Sequence, residues 1–505
     1  MISLSKSKYC ALWQCPKMAW LNQYKPEVKT VDASVEARLV AGNVVGDLAM
    51  GLFGDYVEVT VYDGEKLDLG KMIENTRTEM AKGTPVICEA AFSWQGLYCA
   101  VDLLRKEGEG WTIYEVKSST NSAERQEKKP VYMADIAYQR YVLEHCGVKV
   151  TGTYLVSINS DYVFDGELKL DELFYILDVS DAVAVETPNV ERNLAVAEGV
   201  LSDANEPEID LDIYCHDPYV CGYWDYCARH VPSPSVFNLN RMAFSKKIDF
   251  YHQGLTRYAD LLQSGLIKNK TQIRQMQHEL HDLGTAVQPD MIRVFLRTLS
   301  YPLYFLDFET MQPVIPLFPG TSPYQQIPFQ YSLHYIEAPD GELKHREFLA
   351  VSGEDPRRSI AESLVRDIPA DVCVTAYNKT FECGRLKELA NQFPDLADHL
   401  LKIEGNIVDL LTPFQRGYYY NRAMGGSFSI KSVLPAVFPD DPALDYHNLE
   451  GVHNGGEAMT IFPQIQYMEP EEQEKARHDL LEYCKLDTYA MVKLWQELVR
   501  ASKEE

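Results

Sequence analysis

Two neighbouring stretches, "GLYCAVDLL" and "GWTIYEVKS", alternate like half-buried strands but carry charged residues inside the apolar run. The intervening "RKEGEG" has the glycines and polarity of a hairpin loop. Strand residues i and i+2 share a face, so Glu115 and Lys117 are expected to project together, with Tyr114 and Val116 facing the other way. A second such run, "YFLDFET", puts Asp307 and Glu309 on one strand face. Helical spacing predicts that Asp135 and Gln139 share a face in "ADIAYQRYVLEHCG", as do Tyr483 and Asp487 in "LLEYCKLDTYAMVKLW".

The same patterning divides the chain. Residues 1–235 mix strand and helix signals and end at "ARHVPSPSVFN", whose prolines and serines mark a boundary. Residues 236–298 carry only helical periodicity, as in "KNKTQIRQMQHELHDL", and predict a helical connector. From "YPLYFLDFET" onward, residues 299–505 alternate strand-like runs with helices, the signature of a layered α/β or α+β domain. A chain of 505 residues has room for this multidomain plan.

Composition narrows the function classes. Hydrophobic residues make up 46% of the chain with no apolar run of membrane-spanning length. "MISLSKSKYC" is no charged-then-apolar signal segment, so a cytoplasmic, soluble protein with no membrane partner is expected. The net charge of −26 argues against a broadly basic nucleic-acid-binding surface. Any phosphate chemistry would need local basic stretches, such as "RQEKKP" and "FSKKIDF", or metal ions. In a reducing compartment the 11 cysteines are not expected to form disulfides. Cys88, Cys99, Cys146, Cys373, Cys383 and Cys484 stand singly as small hydrophobes, whereas Cys10 and Cys15 group near the start and Cys215, Cys221 and Cys227 form an even C-x5-C-x5-C run.

If the two strands pair, Asp102 and Glu115 can hold a divalent cation through oxygen, with Lys117 beside them to activate water or steady a phosphate. The plainer alternative is a surface hairpin with a Glu–Lys pair. "AVDLL…YEVKSST" resembles the core of the PD-(D/E)XK nucleases, in particular the RecB/AddB-like group and its CRISPR-associated relatives. The resemblance implies that Asp102, Glu115 and Lys117 bind metal and cleave DNA, with Gln139 on a helix over the site. It departs at Tyr141, two residues after the glutamine instead of three or four. "VEARLVAGNVVGDLAMGLF" is similar to a helix that often carries a metal-binding acid or histidine; the histidine position is Gly46 here, leaving Glu36 as a candidate. The same relatives place one cysteine in a "CP" motif and three after the nuclease core around a [4Fe–4S] cluster, which implies Cys15, Cys215, Cys221 and Cys227. Zinc is the alternative, with Cys10, His216 or His230 as a substitute ligand.

Asp307, Glu309 and Asp487, with an acid from "TAYNKTFECGRL", could hold two metal ions, and Tyr483 could orient the attacking water. These segments resemble the motifs of DnaQ-like 3′–5′ exonucleases of RNase H-like fold. The family's usual second-motif aspartate is Glu382 here, and Asp409 in "NIVDLL" is an alternative ligand. The combination resembles a bacterial family in which both nuclease types are fused, to which "PYQQIPFQYSLHYI" and "GGSFSIKSVLPAVFP" are also similar; strand guidance or core packing are their two readings. The expectation is a PD-(D/E)XK restriction-endonuclease-like domain followed by an RNase H-like domain: a Mg2+- or Mn2+-dependent DNA nuclease, which the resemblance places in DNA repair or defence against foreign DNA. The alternatives are an RNA-processing exonuclease whose first domain only grips, and a nucleic-acid-binding scaffold without turnover.

Overall fold

The computed structural model describes residues 3–30 and 33–503, with the side chains of 33–37 outside the described residues. The protein is a mixed α/β chain of two compact units: Met1–Val231 with Val314–Tyr324, and Pro232–Pro313 with Gln325–Glu505. Among the described residues no helix is long and apolar enough to cross a membrane.

The first unit is built on a seven-stranded sheet. Its strands are β1 (Leu4–Ser5), β2 (Val57–Glu58), β3 (Val86–Trp94), β4 (Leu97–Glu107), β5 (Gly110–Asn121), β6 (Val150–Asn159) and β7 (Phe174–Asp178), in the order β2-β3-β4-β5-β6-β7 with β1 parallel to β4. The predicted hairpin is present: Glu107 pairs with Gly110 across a two-residue turn, where Gly108 adopts a φ of +59°. Helices α1 (Lys6–Gln14), α4 (Pro130–His145) and α5 (Ser180–Ser202) cover one face, while α2 (Pro16–Tyr24) follows α1 directly. Helix α3 (Ala33–Ala49) covers the other face, burying Val45 and Ala49 against Tyr114 and Val156. Tyr114 and Val116 therefore do face away from Ile113, which packs under α4.

The alternation breaks at one place. In β3, Cys88 pairs with Leu103 and Ala90 with Val101, while Glu89 and Asp102 between them stay unpaired. Glu89 has a φ of +56°, rare for a residue with a Cβ. Consequently Ile87 and Ala90 join the same cluster although they are three apart, and so do Val101 and Leu104. Beyond Leu103–Tyr114, β4 and β5 no longer pair, and Asp102 fills the gap by accepting the Val116 amide at 2.7 Å.

The second unit holds a five-stranded sheet of β8 (Leu303–Met311), β9 (Ile327–Ile336), β10 (Lys344–Leu349), β11 (Cys373–Ala376) and β12 (Ile407–Asp409). The order is β10-β9-β8-β11-β12, with β8, β9 and β10 antiparallel and β8, β11 and β12 parallel. Helices α6 (Arg357–Asp367), α7 (Thr380–Gln392) and α8 (Pro394–Gly405) pack with Tyr304, Leu306 and Phe308. On the opposite face Leu303 and Phe305 pack with α9 (Ile430–Val437) and the 32-residue α10 (Pro470–Ala501). This alternation carries Asp307 and Glu309 onto the α10 face.

Two boundaries differ from the sequence expectation. The 236–298 connector belongs to the second unit, where Val236, Phe250, Tyr258 and Met276 form a small core and Ala286–Val287 pairs with Tyr419–Tyr420 as a short strand. Residues 314–324 belong to the first unit. There Gly320 donates its amide to the Phe164 carbonyl at 2.7 Å, and Tyr324 donates its hydroxyl to the Ser118 carbonyl at 2.5 Å.

Candidate functional site

In the first unit, the opening between β4 and β5 gathers Asp102, Glu115 and Lys117 from the strands with Asp135 and Gln139 from α4. Lys117 Nζ donates to Glu115 Oε1 at 2.6 Å and to Asp135 Oδ2 at 2.9 Å. Gln139 Nε2 donates to Glu115 Oε2 at 2.7 Å and Asp135 Oδ1 at 3.0 Å, while its own Oε1 is buried without a hydrogen bond. The expected residues therefore meet, just past Leu103–Tyr114 where the pairing of β4 with β5 ends.

Two participants escaped the sequence reading. Lys6, at the start of α1, sits 3.3 Å from Asp102 Oδ1 and 3.1 and 3.3 Å from the two Glu115 oxygens. Its sequence surroundings give no signal, because the contact spans about a hundred residues. Glu89 did leave a signal, an acid inside "VICEAAFSW" like the one that singled out Asp102.

The electrostatics follow from burial. Burial raises the Asp102 carboxyl to about 6, reinforced by the Glu115 charge. Glu89 is pushed up to about 7 by burial and by Asp102. Burial acts on Glu115 too, but Lys117, Lys6 and the hydrogen bonds from Lys117 and Gln139 outweigh it and hold the carboxyl below its ordinary range. Burial opposes the charge of both lysines, yet the surrounding acids keep them charged above the ordinary lysine value. Tyr141 packs edge-on against Trp94, on a different side of α4 from Gln139. The Glu36 side chain lies outside the described residues, and the described part of α3 buries Val45 and Ala49 on the opposite face of the sheet from Ile113.

Cys15, Cys215, Cys221 and Cys227 line one cavity, walled by Leu21, Tyr214 and Trp224. Cys15 precedes α2, and Gln14 ties it to the later segment by donating to the Tyr214 and Tyr219 carbonyls, each at 2.8 Å. Burial, followed by the other cysteines, raises the Cys215 thiol to about 12; burial likewise lifts Cys227 to about 11. A metal centre here must displace those protons. Of the alternative ligands, Cys10 lies in the field of Asp135 and Lys117 and is absent from the cavity lining. His216 packs edge-on to Trp224, and His230 Nδ1 lies 3.0 Å from the Cys227 carbonyl.

In the second unit, Asp307 and Glu309 face Tyr483, Cys484 and Asp487 of α10. Ligand atoms of Asp307, Glu309 and Cys484 all fall within 4.8 Å of one another. Glu382, at the first turn of α7, is 2% exposed and leaves Oε2 buried without a partner. Asp409 spends its Oδ1 on the amides of Asn378 and Leu411, both at 3.0 Å, so it acts as a turn brace. Arg385, one turn beyond Glu382, pairs with Glu388 instead.

Lys431 acts against the rise at Asp307, Glu309 and Asp487 and Arg385 at Glu382, but burial outweighs both, and the carboxyls rise together. Glu309 reaches about 8 through burial and Asp487; Glu382 reaches about 8 through burial, with Asp409 adding to it. Asp487 is lifted to about 6 by burial despite hydrogen bonding, and Asp307 is raised well above its ordinary range by burial, Asp487, Glu309 and Glu382. A divalent cation is the physical remedy for such a cluster.

Tyr446 and Lys431 were also missed. Tyr446 donates its hydroxyl to Asp487 Oδ1 at 2.5 Å, and Lys431 Nζ stands 5.7 Å from both the Tyr446 and Tyr483 rings. The segment "GGSFSIKSVLPAVFP" thus supplies a cation beside the acids, while its Phe428 carbonyl accepts from Tyr377 at 2.7 Å. "PYQQIPFQYSLHYI" does packing work: Gln330 donates to the Leu480 carbonyl at 2.7 Å, and Ser332 meets Thr488 at 2.7 Å. The basic stretches are partly committed, Arg125 to Glu127 and Lys247 to the Phe237 carbonyl.

A family model described as a domain of unknown function, DUF2779, matches residues 304–429. The matched stretch carries Asp307, Glu309 and Glu382 but ends before Tyr483 and Asp487. No curated protein matches the chain.

Proposed function

We propose that this protein is a metal-dependent nuclease acting on DNA, with a hydrolytic centre in each unit. The observation that carries the reading is the second centre: Asp307, Glu309, Glu382 and Asp487, drawn from three distant segments, are largely buried with their carboxyls raised and Glu382 Oε2 left without a partner. The β10-β9-β8-β11-β12 strand order supports the RNase H-like expectation for this unit. The D…E-x-K arrangement, met by Gln139 and Asp135 from α4, supports the PD-(D/E)XK expectation for the first.

Mg2+ or Mn2+ held by these carboxylates would supply an activated water and charge relief on the leaving oxygen of a phosphodiester. The side chains do the rest. In the second unit Tyr483 orients the water, Tyr446 fixes one oxygen of Asp487, and Lys431 offers its charge to the phosphate. In the first unit Lys117 bridges Glu115 and Asp135, holding a positive charge where a phosphate would approach. The four thiols around Cys215 are proposed to hold a [4Fe–4S] cluster that clamps α2 to the 213–227 segment. A second reading, in which the first unit grips nucleic acid while the second cuts, is favoured by one observation, the Lys6 ammonium between Asp102 and Glu115.

The test is degradation of end-labelled single-stranded and duplex DNA and matched RNA with Mg2+ or Mn2+, comparing wild type with Lys117→Ala and Asp307→Ala. Loss of a distinct product pattern in each variant is the expected result. Cleavage of RNA alone would replace the DNA assignment, and DNA retention without cleavage in wild type would leave a binding scaffold.

A further inference from the structure

The two acid clusters differ in one respect. Among the described residues no lysine is hydrogen-bonded to the acids of the second unit, where Lys431 acts only from a longer range, whereas the Asp102–Glu115 pair already has one in contact. Lys6 Nζ lies 3.1–3.3 Å from three oxygens of those two carboxylates, inside the space a shared divalent ion would need.

The placement is built, not incidental. Lysine in the first turn opposes the helix dipole, so α1 gives Lys6 no local reason to be there. Its backbone is fixed on both sides: Leu4 and Ser5 pair with Leu97 and Tyr98 of β4, and Tyr138 of α4 donates its hydroxyl to the Leu4 carbonyl at 2.6 Å. Tyr138 also stacks on Tyr9 with ring centroids 4.6 Å apart. The lysine is thus delivered by the same strand and helix that carry Asp102 and Gln139.

We propose that Lys6 is the resident cation of the first centre: its ammonium holds Asp102 and Glu115 together in the metal-free protein and must withdraw before a divalent ion can bind. The inference rests on reading those two acids as metal ligands. The side chain is 22% exposed, which leaves it a route outward.

The experiment measures Mn2+ binding by calorimetry and electron paramagnetic resonance in full-length protein whose second centre is silenced by Asp307→Asn with Glu309→Gln. In that background Lys6→Met should bind Mn2+ at least about tenfold more tightly than the Lys6 protein, since two charge-assisted contacts no longer have to be given up. Adding Glu115→Gln should abolish the binding. Equal affinity with and without Lys6, still lost in Glu115→Gln, would overturn the proposal and leave the metal site standing. No binding in any variant would overturn both. Reductive methylation of the otherwise unaltered protein gives a reading that does not depend on a variant folding: Lys6 should be protected in chelator and labelled faster in Mn2+, and equal labelling in the two conditions refutes the idea.

Discussion

Glu309→Gln should stabilise the metal-free protein, against the usual expectation for a change at a buried polar site. The Glu309 carboxyl goes from an ordinary 4.5 to about 8, chiefly through burial and then through Asp487. A folded-state value above the unfolded one means the folded protein holds the proton more tightly. The penalty is therefore absent below about pH 4.5, grows as pH rises, and levels off above about 8. At about 1.36 kcal/mol per pH unit, it comes to on the order of 1 kcal/mol at pH 5.5 and about 4 kcal/mol at pH 7.5. The glutamine cannot ionise, so its advantage should widen by about 3 kcal/mol between those two conditions. Urea midpoints of wild type and variant at pH 5.5 and 7.5 in chelator measure this directly. Saturating Mg2+ should then reverse the order, because only wild type keeps its full ligand set. A variant no more stable than wild type at pH 7.5 in chelator, or an advantage independent of pH, would refute the claim that burial and mutual repulsion outweigh the Lys431 charge in this cluster.

Three further outcomes are expected. Tyr446→Phe removes the 2.5 Å donor to Asp487 Oδ1; the carboxyl should rise above about 6, and Mn2+ titrations at pH 6 should show weaker binding than wild type, with the difference shrinking by pH 8. Cys221→Ala should lose the iron and the visible absorbance of anaerobically purified protein and make the α1–α2 segment more sensitive to protease, as read by metal analysis and limited proteolysis. His334, held neutral by burial, with His345 and Lys485 adding to it, falls from 6.5 to about 3, so stability should drop as pH falls through 6.5 and the unfolded chain takes up the proton. His334→Asn should spare roughly 2 kcal/mol of that loss between pH 6.5 and 4.5, measured by chemical unfolding.

Much of both centres is legible in the chain because faces are local. Period-two alternation is enough to put Glu115 with Lys117 and Asp307 with Glu309, and a spacing of four is enough for Asp135 with Gln139 and Tyr483 with Asp487. The hairpin between β4 and β5 follows from its glycines. What a local pattern cannot carry is which faces meet. Lys6 reaches Asp102 and Glu115 only because β1 joins the sheet beside β4, and Lys431 and Tyr446 reach Asp487 only through the packing of the 425–448 region on α10. The broken pairing at Glu89 and Asp102, which opens the first centre, depends on two strands sharing one irregularity. The placement of residues 314–324 in the first unit likewise rests on hydrogen bonds to Phe164 and Ser118, far away in sequence. Such contacts form when long loops close around a core, and the entropy of closure grows too slowly with length to leave a mark on the residues between.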